Sequence, residues 1–393
     1  MNAPPARTDA AAPLRVALVA GEHSGDQLGA ALIEALRARV PDLECFGIAG
    51  PKMVAAGCAA WAPADSIAVM GFAEVLRHLP RLLRLRAEIG ARFIAARPDV
   101  FIGIDSPEFN LTLAGRLKRA GIRTVQYVSP QVWAWRQGRV RTIGRDCDLV
   151  LCLLPFEREF YTRHAVRAEF VGHPLADQIP LEIDTVAARA ALGIAGDARV
   201  IALLPGSRLA EVARLARPFA AAAAWLHARR PDWQFIAPMA SVAVRERFER
   251  ELGQASEKTP IRLIDGQAQR VLAAADAAIV ASGTATLETL LSGRPMVVAY
   301  KWSWLTVLVA RTLRLVKVPF FAQPNLLAGR RLVPELLQGQ VTAEALGAAL
   351  LGELDDAAHL AQLRAEFTRI HRELRCDGAA RAAAAVLECI GPR

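Results

Sequence analysis

The chain has 393 residues, a length that favours two domains over one. Hydrophobic residues make up 53% of it and charged residues 22%, a composition that excludes a disordered protein. Only the Ala- and Pro-rich start, residues 1–13, is predicted to be a disordered tail. The 48 basic residues exceed the 39 acidic ones, and the net charge of +9 suits nucleic acid, an anionic membrane or phosphorylated small molecules.

The sequence contains no pattern typical of a metal site, a nucleic-acid-binding motif, a signal peptide or a membrane-spanning helix. The six cysteines form no CxxC pair and the seven histidines no HExxH, so we expect no metal site. Because no RNA-binding aromatic signature or helix-turn-helix spacing occurs, nucleic acid is not an expected partner. The start lacks a signal-peptide pattern and no run of about 18 uncharged apolar residues follows, which predicts a cytoplasmic protein without a spanning helix.

Apolar runs alternate with helical patterns along the whole chain, starting with a strand at 14–20 and including a mostly helical segment at 67–96. Further strands are predicted at 44–48, 99–104, 122–128, 149–154, 200–204, 233–237, 261–264, 277–280 and 295–299. Strands alternating with helices indicate parallel sheets with helices on both faces.

We therefore predict an α/β protein with two doubly wound parallel-sheet domains that face a cleft. The proline-bearing stretch 174–180 is the expected hinge, which gives domains at 14–180 and 181–365. C-terminal helices at 366–393 complete the prediction, and their return to the first domain stays open.

Two polar turns in the first half are candidate parts of an active site. The first reads Gly21-Glu22-His23-Ser24-Gly25-Asp26, and its glycines would let a ligand approach the backbone, so Ser24 and Gly25 are candidate substrate contacts. The spacing is neither GxGxxG nor GxSxG, and a plain tight turn is the alternative. Asp105, just past the strand at 99–104, would face the cleft and take a proton from an acceptor hydroxyl, or would be an ordinary N-cap or turn aspartate before Pro107.

The second half offers an anion site. The strand at 200–204 runs into Pro205-Gly206-Ser207-Arg208 and then a helical pattern, so the amides of Gly206 and Ser207 and the Arg208 fork would bind phosphate. A tight connection with a surface arginine is the alternative. A second small-residue turn, Ser282-Gly283-Thr284, opens a helix whose Glu288, predicted on the first turn, would accept bonds from ribose hydroxyls or only complement the helix dipole.

Residues 302–321 combine tryptophans with basic residues in the pattern of an interfacial membrane helix. A buried helix with a basic rim is the alternative. The predicted membrane contacts are Trp302, Trp304, Leu305, Arg311, Arg314 and Lys317.

Asp146-Cys147-Asp148 has the DxD spacing of some metal-dependent glycosyltransferases, but it precedes an apolar strand and no other carboxylate clusters with it. We interpret it as a turn leading into that strand. The absence of a Walker A sequence argues against an NTPase.

A series of short motifs, taken together and in order, resembles one family over roughly residues 14–390. The motifs are Gly21–Asp26, Gly103–Asn110, Tyr127–Trp135, Val171–Pro174, Leu204–Arg208, Ser282–Glu288 and Gln323–Leu326. The chain resembles the lipid-A-disaccharide synthases, inverting glycosyltransferases of the GT-B fold. His23 departs from the pattern, because a small residue is expected there.

This resemblance implies transfer from UDP-2,3-diacylglucosamine to 2,3-diacylglucosamine 1-phosphate. The implied products are the β-1,6-linked lipid A disaccharide 1-phosphate and UDP, with no metal or other cofactor. It further implies Asp105 as the base, Arg208 as a donor-phosphate ligand, and Asn325, with Gln323 beside it, as substrate contacts. The enzyme would sit peripherally on the inner face of the cytoplasmic membrane, and a homodimer stays open.

Two rival functions remain at this point. A UDP-sugar 2-epimerase on the same two-domain frame would need an acid and a base flanking the sugar, and no lipid-binding segment. A non-catalytic, membrane-associated nucleotide-sugar binder would lack a carboxylate such as Asp105. Only a transferase releases UDP strictly in the presence of the acceptor.

Overall fold

The computed structural model describes residues 13–67, 72–134, 137–253, 260–302 and 319–391, with the backbone alone for 72–78. The chain divides into two compact units, Met1–Pro174 with Cys376–Arg393, and Leu175–Arg375. The division falls at the start of the proline-bearing stretch 174–180 rather than after it. The C-terminal segment joins the first unit from Cys376 onward.

The first unit is built on a parallel sheet. Its strands are β1 (Leu14–Ala20), β2 (Leu43–Ala49), β3 (Cys58–Pro63), β4 (Val100–Ile104), β5 (Arg123–Tyr127), β6 (Leu149–Cys152) and β7 (Ala168–Phe170). The helices that follow them are α1 (His23–Arg37), α2 (Pro51–Ala55), α3 (Phe72–Ala96), α4 (Pro107–Arg119), α5 (Val140–Asp146) and α6 (Pro155–Thr162). The next helix, α7 (Pro174–Gln178), begins at the division and lies in the second unit from Leu175 onward.

Within the described residues, the first sheet has seven strands in the order β3-β2-β1-β4-β5-β6-β7, and every pairing is parallel. Both faces of β1 are covered, because Val16 and Leu18 pack in one buried cluster and Ala17 and Val19 in the other. A strand buried on both faces has no polar alternation, which is why β1 is a continuous apolar run.

The second unit repeats the plan with β8 (Val200–Leu204), β9 (Gln234–Met239), β10 (Ile261–Asp265), β11 (Ala277–Ala281), β12 (Met296–Tyr300) and β13 (Glu335–Leu337). The strand order is β10-β9-β8-β11-β12-β13, again all parallel. Its helices are α8 (Thr185–Leu192), α9 (Leu209–His227), α10 (Val242–Gly253), α11 (Ala268–Ala274), α12 (Thr284–Leu291), α13 (Gln323–Ala328), α14 (Ala343–Asp355) and α15 (Ala357–Leu374).

The last helix, α16 (Gly378–Ile390), belongs to the first unit and packs on α1. Its buried residues Ala382, Ala383 and Val386 join the cluster that contains Leu32 of α1. Across the described ranges, no helix combines the length and the apolar character needed to cross a membrane.

Candidate active site

Asp105 lies where the strand order of the first sheet reverses. β1 and β4 are neighbours there, with β2 on the far side of β1 and β5 on the far side of β4. Ligands of doubly wound sheets bind beyond the carboxyl ends of the strands at such a point. Because Asp105 directly follows Ile104, the last residue of β4, the fold places this carboxylate at the expected binding crevice.

The backbone at Asp105 adopts an uncommon conformation. Its φ is +50°, and that of Ser106, the N-cap residue of α4, is +38°. Non-glycine residues in this left-handed region are costly, by about 1–3 kcal/mol each, and they cluster at functional sites. Ser106 rather than Asp105 is the N-cap, and its side chain makes no capping hydrogen bond. An ordinary capping role therefore does not explain Asp105.

The first glycine turn packs directly against the Asp105 turn. The Gly21 amide donates to Asp105 Oδ1 over 3.4 Å. A Cβ on Gly25 would lie 2.0 Å from Asp105 Oδ2, and one on Gly21 would lie 2.4 Å from Ser106 Oγ. The glycines are thus required for close approach to the carboxylate, whereas the predicted substrate contact Ser24 is exposed beside them. The structure brings both turns of the first unit together.

The environment of Asp105 makes its carboxylate unusually basic. Burial raises its pKa to about 6, and the negative charge of Glu22 acts in the same direction. The Ser106 hydroxyl and the amides of Gly21 and Glu22 oppose this rise in pKa by hydrogen bonding. Asp105 Oδ2 is buried without a hydrogen-bond partner among the described residues. A carboxylate that is ionised at neutral pH but ready to accept a proton suits a general base.

A buried carboxylate that sequence reasoning missed lies in the same unit. Glu157 is 4% exposed, and burial raises its pKa to about 7. It accepts hydrogen bonds from the Trp133 indole and the Leu154 amide, both over 3.1 Å. Nearby, Ser129 Oγ donates to the Tyr161 hydroxyl over 3.1 Å. Glu157 therefore holds the segment that follows β5. The sequence offered no capping-box signal for it, because the N-cap residue three positions earlier is Leu154, which has no side-chain acceptor.

The Asp146–Asp148 segment leads into β6. Asp148 Oδ2 accepts from the Thr124 amide over 2.8 Å, and its Oδ1 pairs with Lys118 over 3.1 Å. Asp146 accepts two hydrogen bonds from the Arg145 guanidinium, from Nε to Oδ1 and from Nη2 to Oδ2. The bonds of Asp148 tie its carboxylate to β5 and α4, whereas Asp146 is the last residue of α5 and pairs with the arginine before it. The triplet thus connects the end of α5 to β6.

The second unit contains a cavity of about 470 Å³ at the corresponding reversal, where β8 and β11 are neighbours. It brings together the predicted residues Gly206, Ser207, Arg208, Ser282, Gly283, Thr284 and Glu288. Residues 238–240 and 266–268 also line it, and sequence reasoning missed them although they follow predicted strands. Two turns far apart in sequence therefore share one cavity.

The Arg208 side chain is available to a ligand. It is 72% exposed, and Glu211 lies 3.7 Å away from its Nη1. Gly206 has a φ of +114°, and a Cβ there would lie 2.5 Å from Glu211 Oε2. Only glycine fits this turn, which lines the cavity together with Glu211. The Glu211 carboxylate accepts from the Arg208 amide over 3.4 Å at the start of α9, so a bound phosphate would take its place there.

Glu288 lines the cavity from α12, but it does not lie on the first turn as predicted. α12 begins at Thr284, and its first turn has no acidic residue. The first turn is instead occupied by small residues, and the Thr286 hydroxyl donates to the Gly283 carbonyl over 2.7 Å. Burial raises the pKa of Glu288. Because Glu288 lies beyond the first turn, where the effect of the helix dipole has fallen off, it is not a simple dipole partner of the helix start.

Asn325 is fully buried, and its side chain is saturated with hydrogen bonds. Its Nδ2 donates to the Val333 carbonyl and to Glu335 Oε1, and its Oδ1 accepts from the amides of Leu332 and Val333. The predicted direct substrate contact does not fit this arrangement, because no donor or acceptor remains free. Asn325 instead holds the connection to β13, whereas the buried Gln323 Oε1 beside it has no partner among the described residues.

Of the predicted membrane contacts, only Trp302 is described, and the rest, at 304–317, lie outside the described residues. Trp302 packs edge-on against Tyr300 and Phe321, with ring centroids 4.6 and 4.9 Å apart. Trp302 and Phe321 are therefore in contact, and Trp302 also contacts the cavity-lining residue Tyr300.

The model of the family described as lipid-A-disaccharide synthetase matches residues 16–386. A lipid-A-disaccharide synthase of Alkalilimnicola ehrlichii is 53% identical over 380 residues, which cover 96% of this chain and 99% of that protein. One of Pseudomonas aeruginosa is 52% identical over 380 residues, covering 97% of this chain and 99% of that protein.

Solved structures with similar folds are more distant in sequence. The glycotransferase of kitacinnamycin has a TM-score of 0.61 at 19% identity, covering 96% of this chain and 99% of that one. The UDP-GlcNAc 2-epimerase of Neisseria meningitidis has a TM-score of 0.63 at 11% identity, covering 95% of this chain and 98% of that one. At these identities the likeness shows the fold alone, and it confirms the predicted pair of parallel-sheet α/β domains of the GT-B type.

Proposed function

We propose the following reaction and residue roles from the premise that this chain belongs to the lipid-A-disaccharide synthase family. It is a glycosyltransferase of lipid A disaccharide synthesis. The proposed donor is UDP-2,3-diacylglucosamine and the proposed acceptor is 2,3-diacylglucosamine 1-phosphate. The products are then the β-1,6-linked disaccharide 1-phosphate and UDP.

Asp105 is the proposed general base. It accepts the proton of the acceptor 6-hydroxyl while that oxygen bonds to the anomeric carbon of the donor. The bond from this carbon to UDP breaks on the opposite face, the electron pair leaves with UDP, and the carbon inverts. The support is the carboxylate at the reversal of the first sheet, whose pKa is raised to about 6. A positioned general base typically contributes about 10²–10⁴ in rate.

The cavity of the second unit is the proposed donor site. Arg208 and the amides of Gly206 and Ser207, next to the start of α9, would bind the pyrophosphate and stabilise the negative charge of departing UDP. Glu288 would accept hydrogen bonds from the ribose hydroxyls, and Ser282, Gly283 and Thr284 line the same cavity. Gln323, whose backbone N–H donates to Thr286 Oγ1 over 3.4 Å, would reach the sugar with its side-chain Oε1, which has no partner among the described residues.

We propose that the enzyme acts at the membrane surface, because both proposed substrates are lipids and the chain carries a net charge of +9. Trp302, Trp304 and Leu305 would insert at the surface, while the basic residues at 311, 314 and 317 contact anionic head groups. Replacing the three insertion residues by Ser should move the protein to the soluble fraction, and high salt should release the unchanged protein.

A matched control replaces Val186 and Val242 by Ser, because these residues are 77% and 71% exposed in the second unit. This variant should remain with the membrane. A triple variant that stays membrane-bound contradicts the proposal, and one that unfolds shows that the segment belongs to the core.

The family match over residues 16–386 carries the function. The test is UDP release from UDP-diacylglucosamine with and without the lipid monosaccharide phosphate. The proposed transferase releases UDP only when the acceptor is present. Release without acceptor, or conversion of the donor sugar to its epimer, contradicts it.

A further inference from the structure

Two buried side-chain amides converge on the main-chain carbonyl of Asp105. Asn110 Nδ2 lies 3.0 Å from this oxygen, and Gln126 Nε2 lies 3.2 Å from it. Asn110 comes from α4 and is 0% exposed, whereas Gln126 comes from β5 and is 1% exposed. Buried amides of this kind are retained where their hydrogen bonds specify one local conformation.

Each amide also binds the backbone that flanks Asp105. Asn110 Nδ2 lies 3.2 Å from the Ile104 carbonyl, the last of β4. Gln126 Nε2 lies 3.3 Å from the carbonyls of both Tyr127 and Val128, the residues at the end of the neighbouring strand. The carboxyl ends of β4 and β5 are therefore joined through these two side chains.

The joined segments are the strained ones. Asp105 and Ser106 have φ values of +50° and +38°, and Val128 has a φ of +73°. A β-branched residue is a genuine outlier in this region, because its branched Cβ crowds the backbone. Such conformations persist only where surrounding contacts over-determine them. The side-chain amides of Asn110 and Gln126 supply such contacts through their hydrogen bonds to the Asp105 carbonyl.

The conformation of Asp105 decides where its carboxylate points. With φ at +50°, Oδ1 lies against the Gly21 amide and Oδ2 against Gly25. A return to ordinary negative φ would redirect the Cα–Cβ bond and carry the carboxylate away from this glycine turn, toward better solvation.

We propose that Gln126 and Asn110 are positioning residues that hold Asp105 in the left-handed conformation and so aim its carboxylate at the acceptor. This proposal rests on the function proposed for Asp105. Neither amide touches substrate; each acts through the Asp105 carbonyl.

The test compares Gln126→Met, which keeps the length of the side chain and removes its donor, with Thr124→Val. Thr124 is an equally buried residue of the same strand whose hydroxyl bonds to Asp146 and Asp148, away from Asp105. Displacement of a catalytic group by about 1 Å costs up to about a hundredfold, so kcat of Gln126→Met should fall about ten- to hundredfold. The KM for the UDP-sugar should stay unchanged.

The pH profile separates positioning from a merely structural role. Glu22 is the charged neighbour that acts on the Asp105 pKa, and the Gln126 change leaves it in place. The wild-type acid limb of kcat/KM is expected near pH 6. If the carboxylate becomes better solvated in the variant, this limb should move to lower pH. Thr124→Val should lower the melting temperature without moving kcat or this limb.

Wild-type kcat and an unmoved acid limb in folded Gln126→Met overturn the inference. If that variant does not fold, two others decide by the same two readouts: Asn110→Leu, which removes the donor with little change of shape, and Gln126→Asn, which keeps the amide but shortens the side chain and draws the donor away from the Asp105 carbonyl. A fully active Asp105→Asn would instead overturn the proposed base itself, so the two failures are distinguishable.

Discussion

Gly25→Ala tests the contact between the first glycine turn and the Asp105 carboxylate. The added Cβ would lie 2.0 Å from Oδ2 and 2.8 Å from Cγ, whereas ordinary contact begins at 3.4 Å. Oδ2 must therefore withdraw by roughly 1.4 Å, and a displacement of about 1 Å is worth about 10² in rate. Because Gly25 lies inside α1, alanine should stabilise the helix by about 0.5–1 kcal/mol.

The expected result is a kcat about a hundredfold lower with a melting temperature that is unchanged or slightly higher. UDP release at saturating donor and acceptor measures the first, and thermal unfolding the second. Gly138→Ala is the matched control, since no described residue lies within 4 Å of a Cβ there. Full activity of a folded Gly25→Ala would refute the close approach, and a rise in acceptor KM at unchanged kcat would favour a direct substrate contact instead.

Three further predictions concern charge. Arg208→Ala should lower kcat/KM for the donor at least about tenfold, because a charged hydrogen bond is worth about 1.5–3 kcal/mol. Arg214→Ala, on the helix that follows Arg208, should leave kcat/KM unchanged, and equal values for both variants contradict the phosphate role of Arg208. The wild-type kcat/KM should fall below about pH 6, where Asp105 becomes protonated, and an acid limb near pH 4 would contradict its raised pKa. Because the pKa of Glu157 is raised to about 7, the folded state binds more protons than the unfolded state between about pH 4.5 and 7, and the free energy of unfolding should fall as pH rises through this window. Glu157→Gln should make the free energy of unfolding less dependent on pH there. An unchanged pH dependence in this variant would exclude Glu157 as its source.

The central strands could be predicted because each is buried on both faces and appears as an unbroken apolar run. β1 and β8 have the predicted bounds, residues 14–20 and 200–204. The edge strands β3, β7 and β13 were missed, since β3 is partly exposed and ends in proline and the other two have three residues each. A short edge strand is formed by its neighbour more than by its own pattern.

The location of the candidate residues followed from the fold, but their contacts did not. Turns at the carboxyl ends of parallel strands are predictable from strand and helix order, so Asp105 and the turn at 205–208 were recognised. The saturation of Asn325 and the burial of Glu157 depend on partners that lie near them only after folding. The left-handed φ of Val128 has no local signal at all, because the sequence offers a residue that avoids this conformation.

The most direct test of the account is the turnover of Asp105→Asn, because asparagine keeps the size of the side chain but cannot accept the proton. We predict a kcat at least about 100-fold lower, with UDP-diacylglucosamine still bound as tightly as by the unchanged enzyme. His23 and Glu108 are the alternative bases, and both are exposed, with Glu108 paired to Arg139 over 2.5 Å. Near wild-type turnover of Asp105→Asn, together with an inactive His23→Ala or Glu108→Gln, would contradict the assignment of Asp105 as the base.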